Sequence, residues 1–204
     1  MRNKMIIGID FDNTIVCYDG VFYWVALEQG FIPPHIPKNK ISVRDYLRKQ
    51  GRENLWTELQ GIVYGARMSY GKTYPGAIGF LEKLILNNIP FYIISHRTRY
   101  PFLGEKHDLH KAAKEWLKGL DASSELANKL QGESVFFLET KEQKAGHIEK
   151  MGCTHFIDDL PEFLEEAYFP CDTYPMLFDP YANHKNTKLH SFPSWQQIEE
   201  YFLT

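Results

Sequence analysis

Five short apolar runs, each closing on polar residues, constrain this chain more than any other feature. Met5-Ile6-Ile7-Gly8-Ile9 runs into Asp10-Phe11-Asp12-Asn13-Thr14, and Phe91-Tyr92-Ile93-Ile94 runs into Ser95. Val135-Phe136-Phe137-Leu138 meets Glu139 and Thr140, His155-Phe156-Ile157 meets Asp158 and Asp159, and Met176-Leu177-Phe178 meets Asp179 and Pro180. Apolar residues on both parities suit strands buried on both faces of a parallel sheet.

Helical patterns separate the runs. Ala77 to Asn87 follows the start signal Pro75-Gly76, and Leu109 to Leu117 repeats apolar residues at helical spacing. Gln143 to Met151 stops at Gly152, Pro161 to Tyr168 opens on proline, and Ser194 caps a last helix to Phe202. Alternating strands and helices predict an α/β fold, a doubly wound, parallel, five-stranded Rossmann-like sheet. Ligands of such sheets bind beyond the carboxyl ends of the strands, where the polar residues gather.

The interval Tyr18 to Lys72 breaks the alternation. Its patterns are helical at 21–28, 43–48 and 55–63, and it holds eight Lys/Arg against five Asp/Glu. The expected organisation is a core of residues 1–17 and 73–204, interrupted by a helical insert of residues 18–72.

Composition narrows the class. With 44% hydrophobic and 24% charged residues the chain is an ordinary globular protein, not a disordered one. Its formal charge of -3 lacks the basic footprint of a nucleic-acid binder. Three cysteines without a Cys-x-x-Cys support neither a disulfide framework nor a Cys-rich zinc site. The apolar stretch after Met1-Arg2-Asn3-Lys4 is too short for a signal peptide, and no stretch approaches a membrane span. A cytoplasmic setting is expected.

The chemistry concentrates at the strand ends. Asp10 and Asp12 lie two apart, and neighbouring carboxylates raise one another's pKa unless a cation intervenes. Mg²⁺ relieves this with one or two carboxylates plus phosphate oxygens; a plain turn over Asp12-Asn13-Thr14 or the Asp-x-Asp of a sugar-nucleotide transferase are the alternatives. Ser95 is either a helix cap or a hydroxyl for a phosphate oxygen, with His96 and Arg97 beside it. Lys144, with Lys141 nearby, is a surface lysine or a cation placed to neutralise a phosphate and a carboxylate. Asp158-Asp159 reads as a turn or as part of a metal site. His107-Asp108-Leu109-His110 is a weak metal pattern.

The joint order, Asp-x-Asp, Ser, Lys, Asp-Asp on consecutive strand ends, resembles the haloacid dehalogenase superfamily of aspartate-nucleophile hydrolases. The matching stretches are Ile7 to Ile15, Tyr92 to Ser95, Lys144 and Phe156 to Asp159, with Tyr74-Pro75-Gly76-Ala77 similar to the segment that re-enters the core after a cap. The resemblance implies that Asp10 is the nucleophile and Asp12 the general acid and base. It implies that Lys144 orients Asp10, that Ser95, His96 and Asn13 with Lys144 bind the phosphate, and that Asp10, Asp12, Asp159 and Asp158 hold Mg²⁺, Asp159 more directly than Asp158. The insert falls where that superfamily places a C1-type helical cap; Trp24, Arg44 and Arg48 there, with Arg97, are the substrate-specificity candidates. Most rings of the insert are expected to form its own core.

Asp12 points to a phosphatase, with a phosphomutase as the alternative, since the dehalogenating branch lacks that aspartate. A non-catalytic phosphate-ligand-binding regulator is a third reading. The expected substrate is a small phosphorylated metabolite, with a nucleotide and a sugar phosphate among the candidates; no nucleic acid or membrane partner is implied. A monomer or homodimer is expected.

Overall fold

The computed structural model describes residues 5–184 and 187–203. The leading residues 1–4, read above with the apolar stretch, lie outside the described residues. The chain divides into two compact units. One takes the chain up to Val16, Thr73–Arg97 and the chain from Leu120; the other takes Cys17–Lys72 and Thr98–Gly119.

The first unit is built on β1 (Ile7–Ile9). The chain leaves along β2 (Val16–Cys17), which pairs with β3 (Lys72–Thr73) where it returns. The insert contributes α1 (Val21–Glu28), α2 (Lys40–Lys49) and α3 (Glu53–Tyr64). The order then runs α4 (Ala77–Leu86), β4 (Phe91–His96), α5 (Leu109–Lys118), α6 (Ser124–Gln131), β5 (Val135–Leu138) and α7 (Lys141–Lys150). It closes with β6 (His155–Asp158), α8 (Pro161–Leu164), β7 (Tyr174–Phe178), β8 (His190–Phe192) and α9 (Trp195–Leu203).

Among the described residues the main sheet has six strands in the order β5-β4-β1-β6-β7-β8, every neighbouring pair parallel. This adds β8 to the five strands expected. Two of its three residues, His190 and Ser191, are polar and exposed, so it carries no apolar run. β5 reads as a buried strand but is half-buried throughout, because it forms one edge of the sheet.

Register fixes which ends meet. Ile9 lies opposite Ile93 on one side and Ile157 on the other, so Asp10, Ser95 and Asp158 share one carboxyl edge. Close approach of β1 to β6 requires Gly8: a methyl there would come within 2.4 Å of the Phe156 ring. Helices cover both faces. Ala145 and Ile148 of α7 and Phe163 and Leu164 of α8 pack on Ile94, Phe156 and Leu177. On the other face Trp195 of α9 lies between Phe80 of α4 and Phe178, with ring centroids 5.4 and 5.5 Å away.

The second unit has its own aromatic core. Phe22 stacks on Trp56 at 5.1 Å and meets Tyr64 edge-on at 5.6 Å, as expected of rings packing within the insert. It includes α5, which the sequence reading placed in the core. Leu109, Ala113 and Leu117 are the buried face of α5, and the Trp116 indole donates to the Gly71 carbonyl at 2.9 Å. Gly61 on α3 lets Pro101 approach, since a methyl there would come within 2.7 Å of the proline ring. Among the described residues no helix is long and apolar enough to cross a membrane.

Candidate active site

β1 delivers Asp10 to the carboxyl edge, where its amide donates to the Ile157 carbonyl at 2.8 Å. The chain then turns sharply. Asn13 has φ +58°, a left-handed conformation that asparagine tolerates better than most residues. The amides of Ile15 and Val16 both donate to the Phe11 carbonyl, and the Trp195 indole donates to the Thr14 carbonyl at 3.0 Å. Asp12 is therefore carried by a turn fastened from both sides.

Lys144 lies in the first turn of α7, whose start is fixed by Thr140 accepting from the Gln143 amide at 3.2 Å. Its ammonium donates to Asp10 Oδ1 at 2.6 Å and Asp158 Oδ2 at 2.5 Å. Lys144 is 2% exposed, while Lys141 is only half-buried, so the buried lysine of the edge is Lys144. Asp158 is fully buried and uses its other oxygen to accept from the Leu160 amide at 3.0 Å. Ligand oxygens of Asp10, Asp158 and Asp159 all lie within 4.8 Å of one another. This cluster fits a divalent cation.

Ser95 is buried at the end of β4 on the same edge. His96 is more exposed, with Nε2 at 3.2 Å from the Glu139 carbonyl. Burial, then the Lys144 charge, holds the His96 pKa below the usual histidine value. Arg97 is buried, and its Nη1 donates to both carboxylate oxygens of Asp12, at 2.6 and 2.7 Å. The structure brings this substrate-specificity candidate against Asp12. Sequence separation hides that pairing; the one available signal was that Arg97 directly follows β4, two residues beyond Ser95.

Electrostatics set the site's demand. Burial pushes the Asp10 carboxyl up to about 7, with the Lys144 ammonium pulling against it and the Asp158 and Asp12 charges reinforcing it. Burial opposes the charge on Lys144, but Asp10 and Asp158 outweigh it and hold its pKa above the usual lysine value. Asp10, Asp158 and Asp159 bring three carboxyl groups to one point, with the Lys144 ammonium bonded to two of them, and a divalent ion there would offset their mutual repulsion.

The remaining candidates lie in the second unit. Trp24 is 54% exposed, with the Lys38 ammonium 4.7 Å from its ring centroid. Arg44 pairs with Asp45 at 2.8 Å, and Arg48 grips Glu53 through two bonds of 2.7 and 2.9 Å. Asp108 caps α5 and pairs with Arg99 at 3.0 Å, and among the described residues the His107–His110 segment contributes to no metal-like group.

No family model matches the chain, and no curated protein matches it in sequence. Solved structures do. A predicted phosphatase from Clostridium acetobutylicum shares 13% identity over 98% of this chain and 98% of that one, with a TM-score of 0.63. A HAD-superfamily hydrolase from Ehrlichia chaffeensis shares 14% over 98% and 97%, at 0.59. A HAD family hydrolase from Deinococcus radiodurans R1, solved with bound phosphate and sodium, shares 13% over 96% and 93%, at 0.57. The chain has the fold of haloacid dehalogenase-superfamily hydrolases.

Proposed function

We propose that the protein is a Mg²⁺-dependent phosphoric monoester hydrolase acting on a small phosphorylated metabolite through an aspartyl-phosphate. The observation that carries this reading is the carboxylate cluster held by Lys144 at the ends of β1 and β6. Its support from known proteins is the shared fold, including a predicted phosphatase and a structure with phosphate bound.

Lys144 engages Asp10 Oδ1, which leaves Oδ2 as the oxygen to attack phosphorus. As that O–P bond forms, the bond to the leaving oxygen breaks, and Asp12, in its protonated form at this stage, supplies the proton. Water then attacks the aspartyl-phosphate, its proton passes to Asp12, and release of phosphate restores Asp10. Asp10, Asp159 and Asp158 are the residues to hold Mg²⁺, with Asp12; when bound, the ion neutralises charge on the phosphoryl oxygens. Ser95, with His96 and Asn13, would bind the phosphate. Dehalogenases also share this fold, but displacement of halide from carbon has no leaving oxygen to protonate and so leaves Asp12 without a task.

The test is hydrolysis of p-nitrophenyl phosphate and of a panel of phosphorylated metabolites, with Mg²⁺ and with chelator, beside a panel of haloacids. Phosphate release that needs the ion is expected. Halide release without phosphate release would overturn the reading, and isomerisation of phosphosugars without phosphate release would replace it with a mutase.

A further inference from the structure

We propose that Arg97 is a positioning residue that fixes the orientation of the Asp12 carboxylate, a claim that rests on the phosphatase reading for what Asp12 does. Arg97 directly follows β4, and its amide donates to the Leu138 carbonyl at 2.8 Å, tying its backbone to β5. Its guanidinium sits over the Phe11 ring, 5.6 Å from the centroid, and Phe11 in turn packs edge-on against Phe137 at 5.4 Å. The Arg97 side chain is 2% exposed and that of Asp12 16%. The arginine therefore lies behind the aspartate, and the aspartate is the member of the pair that reaches the open edge.

A buried guanidinium is held in place by an anion that pairs with it. Here one nitrogen, Nη1, holds both oxygens, so rotating the carboxylate breaks at least one bond. The Asp12 backbone is fixed too, by its bridge to Val16 and the left-handed Asn13 that follows. Proton transfer needs the two heavy atoms at hydrogen-bonding distance, so a carboxylate free to rotate spends less time competent. Because a single nitrogen makes both bonds, the ammonium of a lysine can reproduce much of the contact.

Kinetics on p-nitrophenyl phosphate with saturating Mg²⁺ tests this. Arg97→Ala should lower kcat on the order of 100-fold, the scale of general acid–base assistance, with KM changed less than about threefold. Arg97→Lys should recover at least about a tenth of wild-type kcat. In an Asp12→Asn background, Arg97→Ala should cost nothing further, because its effect runs through Asp12. A raised KM with kcat intact would make Arg97 a substrate-binding residue and overturn the proposal, as would losses that multiply in the double variant. Should Arg97→Ala fail to fold, Arg97→Gln carries the same comparison. If the wild type releases no phosphate from any monoester, the phosphatase reading falls. Crystal structures of wild type and Arg97→Gln then decide positioning alone: one Asp12 rotamer in the first and several in the second supports it, and the same single rotamer in both contradicts it.

Discussion

Asp10 is the residue on which most of the site converges. It is the nucleophile of the proposed reaction, a partner of Lys144 and a member of the metal cluster. Asp10→Asn keeps the shape and an oxygen for Lys144 but removes the nucleophile; kcat should fall by at least about a thousandfold with the fold intact by circular dichroism. Its raised pKa has a stability consequence with a definite sign. A carboxyl pushed from 3.8 to about 7 contributes stability in full below pH 3.8 and loses it as pH rises through 7. Without metal, the melting temperature of wild type should therefore fall relative to Asp10→Asn between about pH 4 and pH 7. Parallel profiles for the two proteins would show that the buried carboxyl does not titrate there. Lys144→Met should be severe, because it strands two buried carboxylates; a loss of roughly 3–5 kcal/mol in denaturant unfolding is expected. Asp10, Ser95, Lys144 and Asp158 were legible because each sits at a strand end or a helix start. The Arg97–Asp12 contact was not, since partners 85 residues apart leave no local pattern.

At the level of elements, the strands announced themselves by apolar runs and the turns by glycine and aspartate. What a run cannot say is whether its strand is central or at the edge. Val135–Leu138 is as apolar as Phe91–Ile94, yet only one of them has a neighbour on each side. Ser191 and His190 hid β8 for the opposite reason, as polar residues on an exposed edge. α6 escaped notice because its apolar face is just Leu126 and Leu130; its start is set by Ser123, which Glu82 holds through both amide and hydroxyl at 2.7 and 2.6 Å. The contact between β1 and β6 makes a sharp prediction. Gly8→Ala drives a methyl into the Phe156 ring, and thermal or urea unfolding should show a loss of about 1–3 kcal/mol. An unchanged midpoint would mean that the two strands can separate freely.

For the whole molecule, the break in alternation after the first strand led to the expectation of a helical insert, and the chain divides into two compact units, one of them Cys17–Lys72 with Thr98–Gly119. The membership of Thr98–Gly119 was not legible in the sequence. That segment's place depends on the Trp116 bond to Gly71 and the gap left by Gly61 on α3, which are three-dimensional facts. The carboxylate cluster belongs to this scale as well, because it gathers Asp10, Lys144 and the Asp158 pair from across the chain. Mg²⁺ should raise the melting temperature in proportion to the logarithm of its concentration above Kd, and chelator should reverse it. Asp159→Asn should blunt that response. The most direct measurement is mass spectrometry of protein quenched during turnover of p-nitrophenyl phosphate with Mg²⁺. The account predicts one added phosphoryl group on the peptide that contains Asp10, lost on treatment with hydroxylamine and missing from Asp10→Asn. Sustained turnover with that peptide unmodified, together with an active Asp10→Asn variant, would contradict it.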